Sequence, residues 1–187
     1  MEIGITAAHA YHLKYWGKWE HLFQKKTSLN QYLWNGYEPF FHIMKKEKIS
    51  FLYFGNSFCQ YELPSVEEVK EAIHFCDEHE LQLVILTPPV TDYGIEKILN
   101  ILKRFDGKDG PAVVVNDFGA AEALIRNRYK GELIWGRVLD KTIRELRMTD
   151  LEQEMYYSPK GKEYMFTLAS TAEYYTSVLK NYKVVRL

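Results

Sequence analysis

The stretch 111–139, PAVVVNDFGAAEALIRNRYKGELIWGRVL, leaves the chain few folds to choose from. Pro111 to Val115 is a short, unbroken apolar run rich in β-branched residues, the pattern of a strand buried on both faces. Asn116 and Asp117 follow, and either side chain can accept a hydrogen bond from the free N–H groups that open a helix. Ala121, Leu124, Ile125 and Tyr129 then recur at helical spacing, Gly131 is expected to end the helix, and Leu133 to Trp135 form a second apolar run. Strand, capped helix, stop and strand make one βαβ unit, with Asn116, Asp117 and Arg137 at its strand ends.

The same alternation recurs through the chain. Glu2 to Ala8 reads as a first strand, Ile49 to Phe54 as a second and Leu81 to Leu86 as a third. Ser65 with Glu68 forms a capping box before a helix whose apolar stripe is Val66, Val69, Ile73 and Cys76. Tyr93 to Phe105 reads as the next helix, with Ile95, Ile98, Leu99 and Leu102 inward. After 140 the periodicity is lost until a last helix, marked by Leu168, Ala172, Tyr175, Leu179 and Tyr182, and a last strand over 183–187. Alternating strands and helices indicate α/β architecture, a parallel sheet with helical crossovers. An open doubly wound sheet and a (β/α) barrel both satisfy the pattern. The chain stops after a buried-looking strand with no helix to cover it, which favours an incomplete barrel of about six of eight units.

Residues 1–187 are expected to form a single domain, with an aromatic-rich insertion at about 10–47. Aromatics make up 15% of the chain, fourteen of them Tyr, which points to a deep apolar pocket or a surface awaiting a partner. Net charge is −1, so the overall balance gives no indication of nucleic acid or an anionic membrane as partner. No apolar stretch reaches the ~18 residues that would span a bilayer, and the N-terminus does not read as a secretory signal. Two cysteines in such a chain are expected to be thiols, and the cytoplasm is the expected location.

Ligands of parallel α/β folds bind at the carboxyl ends of the strands. The polar residues there are His9, Asn56, Ser57, Cys59, Thr87, Asn116, Asp117 and Arg137. Arg137, Asp117 and His9 are the candidates for catalysis, and Asn56, Ser57, Thr87 and Asn116 for contact with substrate. Helix capping is the plain alternative for Asn116 and Asp117. For Arg137 the alternatives are an ion pair with Asp117 or Glu122 and a bidentate grip on a substrate carboxylate or phosphate. His9 and Cys59, past neighbouring strand ends, form a possible imidazole–thiol pair, while Cys76 reads as a small buried hydrophobe. Thr87-Pro88-Pro89 reads as a rigid strand exit. The chain has no HExxH, no GxSxG and no phosphate-loop spacing.

Four segments in order, YFGNSFCQYELPSVEEVKEA, LVILTPPVTDYGIEKI, VVVNDFGAAEALIRN and IWGRVLDK, resemble the N-terminal half of the peptidase U32 family. The matching points are Gly55, Thr87-Pro88, Asn116-Asp117-Phe118-Gly119 and Gly136-Arg137-Val138-Leu139. Within that family the pattern is most similar to the oxygen-independent ubiquinone-hydroxylation proteins. That resemblance implies Cys59 as one thiolate ligand of an iron–sulfur cluster. A four-iron cluster needs four thiolates and the chain has no cysteine after residue 76, so the remaining ligands would have to come from another chain. The resemblance implies an enzyme, or part of one, modifying an RNA base or small aromatic substrate by hydroxylation or a related reaction. A non-catalytic accessory protein on the same half-barrel, and a cysteine-type peptidase using His9 and Cys59, are the alternatives. A homo-oligomer, or a partner chain completing the barrel, is expected in either of the first two cases.

Overall fold

A computed structural model describes residues 3–16, 48–105 and 110–139. It contains β1 (Ile3–Ala7), a single turn α1 (Ala10–Leu13), β2 (Ile49–Gly55), a 3-10 turn (Gln60–Glu62) and α2 (Val66–His79). β3 (Gln82–Leu86), α3 (Asp92–Leu102), β4 (Ala112–Val115), α4 (Phe118–Arg126) and β5 (Leu133–Trp135) follow. The five strands form one sheet in the order β1-β2-β3-β4-β5, and every neighbouring pair is parallel. The α/β architecture with a parallel sheet is therefore as the sequence indicates. The expected last helix and strand (168–187), most of the aromatic insertion and the segment 140–166 lie outside the described residues.

The sequential strand order has no point where the winding reverses, the feature at which a doubly wound sheet binds its ligand. The helices agree with it. Leu52, Phe54, Ile85, Val113, Val115, Leu133 and Trp135 share one buried cluster with Val69, Ala72, Ile98, Ile101, Ala121 and Leu124 of α2 to α4. Val84, Leu86 and Val114 point the other way and form a separate cluster with Phe51, Tyr53 and Ile134. Alternate residues of a strand face opposite sides, so α2 to α4 all cover a single face. Every residue of β4 from Val113 to Val115 is buried, as its unbroken apolar run requires.

Local signals account for most element boundaries. The Ser65 hydroxyl accepts from the Glu68 N–H at 3.2 Å, and Glu68 Oε2 accepts from the Ser65 N–H at 2.9 Å, closing the capping box. Asp117 caps α4, its Oδ1 accepting from the Ala120 N–H at 2.9 Å. The expected stop at Gly131 is corrected: α4 ends at Arg126, and Tyr129 lies beyond it. The left-handed residue that turns the chain is Arg128, at φ 56°, and the Tyr129 hydroxyl donates to the Pro111 carbonyl to pin the exit. That bond, out of reach of any local pattern, turns the chain before the glycine is reached.

Leu124 sits at the centre of the helix-covered face and is 1% exposed. Leu124→Ala is expected to lower the unfolding free energy by about 2–5 kcal/mol in urea titration. Ser65→Ala is expected to cost about 1 kcal/mol in the same measurement.

Candidate functional site

Four βα connections and the residues after β5 meet at the carboxyl edge of the sheet, and Gly55 lets the second connection leave its strand. Its φ is +117°, and a Cβ there would stand 2.7 Å from the Leu86 carbonyl oxygen. The next residue, Asn56, folds the loop onto itself: its Oδ1 accepts from the N–H groups of Phe58 at 2.8 Å and Cys59 at 3.0 Å. Ser57 lies in the same turn, half-buried.

Thr87 and Asn116 are placed deeper. The Thr87 hydroxyl donates to the Val114 carbonyl at 2.9 Å. The Asn116 amide donates to the Thr87 carbonyl at 2.8 Å and accepts from the Val138 N–H at 3.0 Å. Thr87 is fully buried and Asn116 is 1% exposed. Their polar groups face backbone rather than open space and join the ends of β3, β4 and β5. Gly136 belongs to the same tie, because a Cβ there would collide with the Asn116 amide.

Of the three side chains expected to be catalytic, Arg137 alone is presented outward. Asp117 is engaged as the α4 cap. Arg137 is exposed and forms no ion pair among the described residues; Glu122 pairs instead with Arg126 at 2.7 Å. The Arg137 guanidinium lies 4.8 Å from the centroid of the Phe58 ring, a cation–π contact. This contact links the loop after β2 with the loop after β5. Three strand spacings separate those strands, about 14 Å in a flat sheet. The two side chains thus reach toward each other over the ends of β3 and β4.

His9 is held in a different way. Its Nε2 lies 2.6 Å from Glu62 Oε2 and its Nδ1 lies 3.2 Å from Glu68 Oε1. The hydrogen bond with Glu62 raises its pKa above the ordinary 6.5 despite partial burial, and Glu68 adds to the effect. Burial opposes ionisation of Glu68, but the N–H and hydroxyl of Ser65, the imidazole and the Ala10 N–H together hold its carboxyl below the usual range. With both ring nitrogens facing carboxylates, the imidazole is committed to Glu62 and Glu68, and the possible pair with Cys59 is not formed. Sequence reading assigned Glu68 to the capping box alone and passed over Glu62. The signal that would have found them is adjacency, since loops after parallel neighbours β1 and β2 leave the sheet side by side.

Cys59 precedes the 3-10 turn at this edge, half-buried, whereas Cys76 is buried under α2. Burial pushes the Cys76 thiol up to about 12, as befits an inert core residue. Among the described residues no group of three or more His, Cys, Asp and Glu side chains is placed to hold a metal ion. A cluster held by four thiolates does not fit a chain with two cysteines in these two environments.

The exposed aromatic side chains went unrecognised as a group in the sequence. Tyr11, Tyr15, Phe58, Tyr61, Tyr93 and Phe118 are the exposed large hydrophobics among the described residues. Five of them, Tyr11, Phe58, Tyr61, Tyr93 and Phe118, lie in the connections or helix starts that follow β1 to β4, on the carboxyl side of the sheet; Tyr15 lies past α1 beside Trp16, which packs on Phe75 and His79 at the far end of α2. Phe118 packs edge-on against Trp135, ring centroids 5.1 Å apart, and the buried Trp135 indole N–H has no hydrogen-bond acceptor among the described residues. A cavity of about 500 Å³ opens at the other end, among the first residues of β2 to β5, and includes Phe51, Cys76, Gln82, Ala112, Lys130 and Ile134. It reaches both faces of the sheet, and the thiol beside it is the buried Cys76.

No protein-family model, curated protein or solved structure matches the chain. No helix among the described residues is long and apolar enough to cross a membrane.

The Asn116 tie is testable as a double-mutant cycle. Gly136→Ala in the wild-type chain is expected to destabilise by about 2–4 kcal/mol, through collision with a buried hydrogen-bonded amide. In an Asn116→Ala background, where the obstacle is gone, the same substitution is expected to cost much less.

Proposed function

We propose that the carboxyl edge of the sheet is the binding site for a planar aromatic ligand carrying a negative charge. On this reading the chain is a modification enzyme, or a component of one, acting on an RNA base or a small aromatic substrate, as its resemblance to the peptidase U32 family implies. The observation that carries the proposal is that five of the six exposed large hydrophobics among the described residues gather at the edge where Arg137 stands without a carboxylate partner among those residues. Aromatic faces offer stacking surfaces to a planar ligand. A guanidinium with no counter-ion is suited to a ligand's carboxylate or phosphate by its planar fork. Asn116, Thr87 and Asp117 serve the site by fixing the strand ends that present Arg137. We read the singly wound sheet as part of a (β/α) barrel and the chain as cytoplasmic. Any iron–sulfur cluster would draw its thiolates from a second chain.

The alternative is a non-catalytic accessory protein, whose aromatic edge would dock a partner chain or a second copy. Tyr, Phe and Arg are the residue types that anchor protein interfaces, so the same edge supports this reading. A peptidase using His9 and Cys59 has the least support, because Glu62 and Glu68 hold both nitrogens of the imidazole.

Equilibrium dialysis against nucleoside monophosphates and aromatic carboxylates distinguishes the two leading readings. Binding that weakens at least tenfold in both Arg137→Ala and Phe58→Ala is expected. Because Arg137 is exposed and forms no ion pair among the described residues, its replacement should change the unfolding free energy by less than about 0.5 kcal/mol. No binding, together with concentration-dependent association in sedimentation, would replace the ligand site with a docking surface.

A further inference from the structure

We propose that His9, Glu62 and Glu68 form a pH-sensitive latch on the loop that carries Phe58 and Tyr61, and so regulate the carboxyl-edge site. The inference rests on the ligand-site reading for its function, though not for its chemistry. An imidazole placed between two carboxylate oxygens can satisfy both only as imidazolium. The neutral ring has one N–H and must turn a lone pair toward the other carboxylate. At 2.6 Å from Glu62 and 3.2 Å from Glu68, His9 is in this position. Around it on α1, the His12 Nδ1 accepts from the His9 backbone N–H at 3.2 Å. Tyr11 stacks on the His9 ring at 5.6 Å between centroids. From the loop and α2, Glu62 and Glu68 are the charged groups that face the imidazole.

The segment being latched is short and held from two sides. The turn Gln60–Glu62 carries Tyr61, the most exposed of the large hydrophobics at 79%, and follows Phe58, the partner of Arg137. On the β3 side, Gln60 Oε1 accepts from both the N–H of Thr91 at 3.0 Å and its hydroxyl at 3.1 Å. That fastening carries no titrating group and persists at any pH. On the β1 side the fastening is His9 on Glu62. Deprotonation leaves the ring one N–H for two carboxylates and removes its charge, so the fastening on the β1 side weakens while the Gln60–Thr91 contact keeps its strength, and the turn loosens on one side rather than unfolding.

His9 has a raised pKa, so its contribution is complete below the ordinary 6.5 and is lost as pH rises through the folded-state value. Glu68 is lowered from 4.5, so its contribution is complete above that value and lost only on strong acidification. The latch is thus fully closed between about 4.5 and 6.5 and opens on the alkaline side.

Ligand-free full-length protein suffices for the test. Histidine ring resonances followed by NMR from pH 5 to 9 should show His9 titrating above 6.5. The amides of Glu62 and Leu63, which bond to the carbonyls of Cys59 and Gln60, report the turn. Their exchange protection, corrected for intrinsic rate, should fall about tenfold across that titration, while the α2 amides hold theirs. Glu62→Gln should lower the His9 midpoint and abolish the pH dependence of the turn. A His9 midpoint at or below 6.5, or turn protection independent of pH, overturns the latch. If Glu62→Gln does not fold, the wild-type titration still decides. Ligand binding lost in Arg137→Ala with a flat turn profile would keep the site and discard the latch; the converse would keep the latch and discard the site.

Discussion

The carboxyl edge depends on one buried amide. Asn116 is bonded to the Thr87 carbonyl on one side and the Val138 N–H on the other, so a single side chain sets the relative height of three strand exits. An amide deprived of these partners in so dry a place would cost about 1–3 kcal/mol per unmet group, which keeps the arrangement from drifting. Gly136 follows from it, since the space a Cβ would need is already filled by the amide. Arg137 is aimed by its neighbours on either side, Gly136 and Val138, rather than by anything its own charged head touches in the core.

Above that rigid tie the edge changes character. The helix-covered side of the sheet is mostly aliphatic, and the buried Thr87 and Asn116 at its end are paired to backbone, whereas the rim above it is aromatic and open. Isolated exposed apolar residues are ordinary on any protein surface. Five of six on one side of a sheet is a distribution that chance placement around the described surface would not favour. The contact of Arg137 with Phe58 gives the rim a geometry, joining loops whose parent strands are separated by two others.

The sequence made the skeleton legible because each of its signals is local. β4 announced itself by an apolar run, α2 by Ser65 and Glu68, and α4 by Asp117, each within four residues of the feature it determines. What stayed hidden depends on contacts between distant residues. The Tyr129 hydroxyl on the Pro111 carbonyl ends the turn after α4 before Gly131 can. Glu62 lies 53 residues from His9, and no periodicity connects them. Asn116 and Asp117 are adjacent and alike in sequence. One became a cap, as local rules allow, and the other a buried tie that only the neighbouring strands define.

The strand order has a consequence for how such a chain is made. Each of β3, β4 and β5 pairs with the strand immediately before it in the sequence, so a nascent chain leaving the ribosome finds its docking edge already formed. Those closures are short and entropically cheap, and they favour rapid, stepwise growth of the sheet. The pairing of β1 with β2 is the exception, because residues 8–48 intervene between them. Loop-closure cost rises only as the logarithm of length, so the penalty is modest. It is still enough to make β2 to β5 the natural nucleus, with β1 the last of these five strands to be secured.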